Sequence, residues 1–564
     1  MIRKLSLLVL TLALAGSIAR TQNTKQAGAA FRVTTRLVQV NVVVHDKNGK
    51  PVTGLTKDDF VLLDGRRERQ ITMFSVESNA PLERAETPLP PNIYSNEPDR
   101  QAGAPTSLTV ILFDVLNTKF QDQVYARDHL IKFLEQLQPS DRVAIYRLAT
   151  DVRVLHDFSN DATSLLRALG RYKGRVNTEV DASTREVVET GNAAVDAVLN
   201  ANFEHIAIFY LRRRVEITAD AIEAIANHLA AFPGRKNLIW VSGSFPFTYG
   251  ADLWTQGAVS MDAGNFASEV MRAARTVNNA NMAIYPVDAR GLLGPADIWP
   301  SYNAATPGAS PRLNAMRASI GDAVFKASID SMTQLADRTG GRAFYNRNDI
   351  MRSIRQAIDD SRVTYALGFY PREEDWDNKF HNLRVRVKRP GVEVRYRQGF
   401  YAVRDQVVDN RQREEQLNAA ARSPLEATQL ALWVRLLPPE SPGQLRFDVM
   451  LDPRQLTFER RDGRFIGSIN LAFVQRSVDG KQLKTKSELV ELRLADSTYQ
   501  RALAEGMVLG REWTIEPGAE QMRVVVCDSA TALVGSITVP LKNGIMPGKS
   551  NFRQKGECSS HPGN

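Results

Sequence analysis

The chain has 564 residues, more than one hydrophobic core usually organises, so several folded units are expected. Hydrophobic residues make up 43% and charged residues 24% of the sequence, which excludes a mostly disordered or collagen-like protein. The net charge of +9 is spread thinly along the chain, so nucleic acid is not indicated as a partner. Two cysteines, Cys527 and Cys558, are too few for a disulfide framework or a cysteine-based zinc site, but they could pair in an oxidising compartment.

The first 19 residues have the organisation of a secretory signal peptide. Arg3 and Lys4 precede an apolar run from Leu5 to Ala15, and Ser17 and Ala19 are small residues before the predicted cleavage position. The apolar run is too short to span a bilayer, and no later stretch is long enough. We therefore expect an exported protein, periplasmic or extracellular, without a transmembrane segment.

Changes in composition predict the boundaries of the remaining units. A small β domain is expected at 31–76, because Val38 to Val44 alternates as a half-buried strand does. Six prolines among polar residues predict an extended linker at 77–106. A charged connector with helical character is expected at 404–429, and a disordered tail at 544–564.

Residues 107–403 alternate strands with helices. Leu108 to Phe113 is an almost continuous apolar run, which predicts a central parallel strand covered on both faces. Arg142 to Ala149 and Val152 to His156 are so close in sequence that they should pair as a hairpin. Three later strands are separated by helices, at Lys236 to Val241, Met282 to Val287 and Tyr365 to Tyr370. The pattern predicts an α/β fold with a doubly wound, mostly parallel sheet.

Ligands of such sheets bind beyond the carboxyl ends of the strands. The residues expected there are Asp114 to Thr118, Ser242 to Phe247, and Asp288 to Gly291. The α/β domain should end in a β extension, a hairpin of Leu383–Lys388 with Val392–Arg397 that has one apolar and one basic face. Short strands punctuated by Gly-containing turns then predict an antiparallel β-sandwich at 430–543.

Several of these stretches together resemble a von Willebrand factor A-type domain, of the exported bacterial group known as VWFA-related proteins. The module from Val40 to Phe74 is similar to the β domain that precedes the A-type domain in that group. The resemblance is carried by three stretches in the α/β region, Leu112-Phe113-Asp114-Val115-Leu116-Asn117-Thr118, Pro233-Gly234-Arg235-Lys236-Asn237-Leu238-Ile239-Trp240-Val241-Ser242 and Thr339-Gly340-Gly341-Arg342-Ala343-Phe344.

The resemblance implies a metal-ion-dependent adhesion site, in which oxygen ligands hold Mg²⁺. Asp114 and Thr118 fit the first loop of that site, and Thr218 is the expected second-loop threonine, with Thr178 as an alternative. Leu116 replaces a serine ligand, and Ser242 replaces an aspartate. The site is therefore expected to be degenerate, and any Mg²⁺ should bind weakly. The alternative is that Asp114 and Thr118 hydrogen-bond their own loop and cap the following helix.

Two long loops at the same edge are rich in aromatic residues, Gly243 to Asn265 and Ala289 to Ile320. One interpretation is a recognition rim over the Asp114 site; the alternative is a small core under the loops themselves. The predicted ligand-binding rim consists of Asn117, Phe245, Phe247, Trp254, Trp299 and Tyr302.

The sequence favours a binding protein over an enzyme. We expect an exported, non-catalytic protein whose A-type domain contacts a protein or a cell-surface polymer. The best enzymatic alternative is a haloacid-dehalogenase-like phosphatase that uses Asp114. That chemistry needs a second aspartate as the general acid, and Leu116 occupies its position. Phosphate-binding loops, nucleotide-binding glycine motifs and hydrolase elbows are not found.

Overall fold

The computed structural model describes residues 37–78, 89–97, 107–172, 174, 179–180, 190–245, 267–292, 329–377, 379–402 and 408–541. The predicted signal peptide (1–19) and tail (544–564) lie outside these ranges, as do Thr178 and Cys558. Within the described ranges, no helix is both long and apolar enough to cross a bilayer.

The described strands are β1 (Val38–Asp46), β2 (Phe60–Asp64), β3 (Arg67–Arg69), β4 (Met73–Ser78), β5 (Ile93–Ser95), β6 (Ser107–Asp114), β7 (Val143–Leu148), β8 (Val152–Ser159), β9 (Arg235–Ser242), β10 (Met282–Asp288), β11 (Val363–Phe369), β12 (Phe380–Val387), β13 (Val392–Tyr396), β14 (Gly399–Tyr401), β15 (Leu432–Leu437), β16 (Gln444–Leu451), β17 (Glu459–Arg461), β18 (Arg464–Arg476), β19 (Gln482–Ala495), β20 (Met507–Thr514), β21 (Gln521–Asp528) and β22 (Val534–Pro540). The helices are α1 (Phe120–Leu134), α2 (Ala162–Arg171), α3 (Ala193–Leu229), α4 (Ala267–Asn279), α5 (Ile350–Asp359), α6 (Asn410–Arg422) and α7 (Asp496–Glu505). A further helical stretch occupies 329–339.

The α/β unit is built on a five-stranded sheet in the order β10-β9-β6-β7-β8. The first four strands are parallel, and β8 pairs antiparallel with β7 as the predicted hairpin. Every residue of β6 is buried, which confirms its place as a central strand covered on both faces. Leu112 and Trp240 pack with Ile222 of α3 on one side, and Ile111 packs with Phe133 of α1 on the other. This mixed sheet fits the A-type fold.

The structure does not contain the predicted separate β domain at 31–76. β1 and β4 both pair with β11, and β1 also pairs with β13, while β2 pairs with β12. The result is a β-sandwich of two four-stranded sheets, β13-β1-β11-β4 and β14-β12-β2-β3. Its strands come from both sides of the α/β unit, so the strand predicted at Tyr365–Tyr370 belongs to this sandwich and not to the α/β sheet. The alternation in β1 indicates a half-buried strand but not which distant strand it pairs with.

The α/β unit is therefore an insertion within this sandwich. It begins at Ser107 and ends near Ser361, and the Oγ atoms of these two buried residues are 2.6 Å apart. The chain thus enters and leaves the unit at adjacent points.

The predicted β extension is also different. β12 and β13 follow each other in sequence but lie in different sheets, so they are not a paired hairpin. Arg384 and Arg386 are exposed on β12. Arg395 on β13 is instead half-buried and forms ion pairs with Asp360 and Glu393. The basic residues therefore do not share one face.

The C-terminal part forms a second sandwich with sheet orders β20-β16-β15-β5 and β17-β18-β21-β22, and β19 pairs with β18. β5 comes from the predicted linker at 77–106, so part of that segment is structural. Asn96 is buried there, and its side-chain amide donates to the carbonyl oxygens of Ala427 (2.7 Å) and Leu430 (2.9 Å). The connector forms α6, which packs on this sandwich around the buried thiol of Cys527.

Candidate functional site

The candidate site lies at the carboxyl edge of the central sheet, where β6 ends. Asp114 is the last residue of β6, and Ser242 is the last residue of the neighbouring strand β9. α3 passes behind this edge and contributes Thr218 and Arg214. The structure therefore brings together Asp114, Thr118, Thr218 and Ser242. Thr218 is not the loop residue that was predicted, because it lies inside α3.

The carboxylate of Asp114 is fully buried and accepts four hydrogen bonds. Oδ1 accepts the backbone N–H of Asn117 at 2.9 Å. Oδ2 accepts from Asn117 Nδ2 at 2.8 Å, from the indole Nε1 of Trp240 at 2.8 Å, and from Ser242 Oγ at 2.9 Å. Ser242 Oγ is also 2.8 Å from the carbonyl oxygen of Ser244, so its one hydrogen is shared between two acceptors.

The side chain of Asn117 links this carboxylate to a buried arginine. Its Nδ2 also donates to Thr218 Oγ1 at 2.9 Å, and its Oδ1 accepts from Arg214 Nε at 2.9 Å. Thr218 Oγ1 in turn donates to the carbonyl oxygen of Arg214 at 2.7 Å, one helical turn earlier. The positive charge of Arg214, which is 3% exposed, is thus connected to the carboxylate of Asp114 through one carboxamide.

Thr118 closes the loop after β6 by bonding backbone atoms. Its hydroxyl donates to the carbonyl oxygen of Asp114 and accepts from the backbone N–H of Gly243 at 2.8 Å. Gln123 of α1 donates to the carbonyl oxygen of Thr118 at 2.9 Å. These bonds hold the ends of β6 and β9 together, but no side chain caps the start of α1. The loop-bonding part of the alternative interpretation therefore agrees with the structure, and the capping part does not.

Burial dominates the electrostatics of the site. It raises the pKa of the Asp114 carboxyl, and the hydrogen bonds from Asn117, Trp240 and Ser242 act in the opposite direction. A buried carboxylate needs such donors, because its solvation by water is lost. The donors around Asp114 thus replace water as the solvation shell of a buried charge.

This arrangement does not fit a Mg²⁺ ion. Magnesium needs oxygen lone pairs in near-octahedral positions, whereas the indole N–H of Trp240 can only donate. Asn117 directs its amide nitrogen towards Asp114 and its oxygen towards Arg214. A cation next to Oδ2 would therefore meet hydrogens where ligands are required. Among the residues that the structure describes, no three His, Cys, Asp or Glu side chains are placed to hold a metal ion.

The predicted rim is wrong at the two of its positions that the structure describes. Asn117 is buried inside the hydrogen-bond network and does not form a surface. Phe245 is also buried, with its ring edge-on to Trp240 at a centroid distance of 4.7 Å. Both side chains are held inward because each has a partner in the core. The other predicted rim residues, Phe247, Trp254, Trp299 and Tyr302, lie outside the described ranges.

Two important residues of the network were not predicted from the sequence. Trp240 stands in the buried strand β9, and a buried indole N–H needs an acceptor, which would have pointed to the strand end. Arg214 precedes Thr218 by four residues and so lies on the same helical face. It follows Arg212 and Arg213 directly, and this run alone did not show which arginine faces the site.

Comparisons with known proteins give neither a matching family model nor a matching curated relative. Solved structures similar to parts of the chain include a von Willebrand factor type A protein from Catenulispora acidiphila, with 7% identity, 85% of this chain and 75% of that chain covered, and a TM-score of 0.22. An aerotolerance-related membrane protein from Bacteroides fragilis is 12% identical, with 45% of this chain and 98% of that chain covered and a TM-score of 0.23. The three N-terminal domains of the type V pili tip protein Mfa5 from Porphyromonas gingivalis are 8% identical, with 84% of this chain and 78% of that chain covered and a TM-score of 0.26. The structural neighbours thus include von Willebrand factor type A domains, and the fold assignment itself rests on the strand order of the central sheet.

Proposed function

We propose that this chain is an exported, non-catalytic binding or adhesion protein whose α/β unit contacts a protein or a cell-surface polymer. The resemblance to A-type domains supports a recognition role at the carboxyl edge of the sheet. In this proposal the adhesion site is degenerate and works without a resident metal ion. The observation that carries it is the Asp114 carboxylate, which is buried and accepts four hydrogen bonds.

The same observation argues against the phosphatase alternative. A nucleophilic aspartate must present one carboxylate oxygen to the substrate, whereas both oxygens of Asp114 face donors of the protein itself. The position of the required second acid is Leu116, and its side chain is buried in the hydrophobic core. No described residue of the network other than Asp114 is acidic.

Calorimetric titration with Mg²⁺ and Mn²⁺ tests the metal-free site. Wild type and Asp114→Ala should both give no saturable binding, and Asp122→Ala is the matched control, since Asp122 lies in the first turn of α1 but outside the Asp114 network. Saturable binding that is lost in Asp114→Ala and kept in Asp122→Ala would contradict the proposal. Hydrolysis of p-nitrophenyl phosphate that disappears in Asp114→Ala would favour the phosphatase.

Binding itself is tested on arrays of extracellular proteins and purified cell-surface polysaccharides, in buffer that contains EDTA. We expect retention on a subset of these surfaces, unchanged when Mg²⁺ replaces EDTA. Absence of retention on every surface, or retention that requires Mg²⁺, would contradict the proposed metal-independent recognition.

A further inference from the structure

A groove of about 360 Å³ lies where the first sandwich meets the α/β unit. One wall is an edge strand of the sandwich, and the other wall belongs to the α/β unit. None of the lining residues is part of the Asp114 network. The sandwich wall includes the four consecutive residues Glu393 to Tyr396, and the other wall includes Asp337 and Arg342.

The sandwich wall is the free edge of β13. In the described part of the chain, β13 pairs with β1 alone, at the end of the sheet order β13-β1-β11-β4. Four consecutive residues of β13 line the groove, and their side chains alternate between the two faces of the sheet. Residues of both faces can share one groove only if it runs along the edge of the strand.

The backbone direction at this edge follows from the pairing of β1. The carbonyl oxygen of Val44 accepts the N–H of Val52, on the side of β1 away from β13. Backbone groups alternate in direction along a strand, so Val43 and His45 face β13, where their partners are Arg395 and Glu393. The N–H and C=O of Val394, between those partners, therefore point away from β1 and into the groove.

The groove also offers two charges without an ion-pair partner among the described residues. The guanidinium of Arg342 lies over the ring of Phe344 and forms no ion pair with a described carboxylate. Asp337 interacts with the side chain of Gln398 and with no described cation. In contrast, Arg395 is held by Asp360 and Glu393. A ligand that carries an acidic group can thus pair with Arg342.

We propose that an extended polypeptide segment with an acidic side chain binds in this groove by adding a strand to β13. The four lining residues of β13 span about 13 Å at 3.3 Å per residue, enough for a short strand-to-strand ladder. Outward N–H and C=O groups in the plane of the sheet match another extended backbone, which is how strand addition recognises peptides. The acidic side chain of the segment pairs with Arg342. No lining residue of the groove belongs to the Asp114 network, and the proposal does not depend on the function proposed for that network.

Selection of peptides from a phage-displayed library of random dodecapeptides, on the full-length protein, tests the proposal. We expect enriched peptides with acidic residues whose affinity falls by at least about tenfold on Val394→Pro, because proline removes the outward N–H without breaking the ladder to β1. Val394→Ile is the matched control and should bind as wild type does. Arg342→Glu should weaken the same peptides, because it replaces attraction by repulsion.

A measurement on wild-type protein keeps the test independent of how the variants fold. Each enriched peptide is synthesised with single N-methyl groups along its length, and N-methylation at alternate positions should abolish binding, since only alternate amides of an added strand face β13. No enrichment over background, equal binding to Val394→Pro, or affinity that no N-methyl group changes would overturn the proposal.

Discussion

Replacing Asp114 by alanine distinguishes a structural carboxylate from a metal ligand. In the structure the substitution leaves the backbone N–H of Asn117 and the indole N–H of Trp240 without their acceptor. The side-chain amide of Asn117 loses one of its two acceptors and keeps Thr218, and Ser242 keeps the carbonyl oxygen of Ser244. A buried donor left without a partner costs about 1–3 kcal/mol, and water that enters the vacated space recovers part of that. Burial raises the pKa of Asp114, which shows that the buried carboxylate charge is itself unfavourable. Removing that charge therefore offsets a further part of the lost stability.

These contributions together predict a loss of about 3–5 kcal/mol in the free energy of unfolding of the α/β unit. For a unit of this size, 1 kcal/mol corresponds to about 2–4 °C in Tm, so the transition should fall by about 6–20 °C. A site built for a metal behaves differently: without the metal the substitution has little effect, and Mg²⁺ at 100 times its Kd stabilises wild type by about 2.7 kcal/mol.

Differential scanning calorimetry in EDTA, repeated with 10 mM Mg²⁺, separates the two cases. We expect the transition of Asp114→Ala to be lowered equally in both buffers, and wild type to be unaffected by Mg²⁺. Asp122→Ala controls for the loss of a carboxylate at the same edge. An Asp114→Ala protein as stable as wild type in EDTA would refute the structural role of this carboxylate.

Three further substitutions test the fold. Asn96→Ala should lower the Tm of the C-terminal sandwich, because the lost hydrogen bonds of this side chain contribute about 3 kcal/mol. Amide hydrogen exchange at 93–95 should become faster. Unchanged exchange would show that this side chain does not hold β5 in place. Gly341→Ala should lower the free energy of unfolding by at least about 3 kcal/mol in chemical denaturation, because the new Cβ would lie 1.9 Å from the carbonyl oxygen of Ile284. In the control Gly391→Ala the new Cβ meets no atom, and the loss should be about 1 kcal/mol, which comes from the positive φ. Equal losses would contradict the packing at Gly341. Burial lowers the pKa of the Lys236 ammonium to about 8, so the unfolded chain binds this proton more tightly than the folded chain does, and the stability of wild type should rise between about pH 8 and 10.5. Lys236→Met should remove up to about 3 kcal/mol of this rise. Parallel pH profiles of stability for the two proteins would refute the prediction.

Local patterns in the sequence predicted the α/β unit well. The apolar run at Leu108–Phe113 predicted a strand covered on both faces, and it is the middle strand of the sheet. Asp114 does end this strand, as expected, and Thr118 bonds its carbonyl oxygen. Thr218 was predicted to lie in a loop before the helix that precedes Trp240, and this placement was wrong, because α3 already begins at Ala193 and Thr218 lies inside it. Its side chain nevertheless reaches Asn117.

Pairing between distant segments could not be predicted in the same way. The alternation in β1 shows that one face is buried, but β11 lies more than 300 residues later in the chain, and several strands have a compatible pattern. Asn96 belongs to a polar, proline-rich stretch, and its role depends on carbonyl groups that the sequence does not show. The inward direction of Asn117 depends on Arg214, which is brought to the loop only by the packing of α3.

The insertion of the α/β unit between β4 and β11 has a consequence for how the protein is made. During synthesis β1 emerges first, and its partner β11 follows only after the whole inserted unit. At about 5–20 residues per second the valine-rich β1 waits roughly 15–60 s for that partner. An unpaired apolar strand can aggregate during such a delay. A nascent chain truncated before Val363 should therefore bind holdase chaperones through β1, and a chain extended beyond Tyr401 should release them.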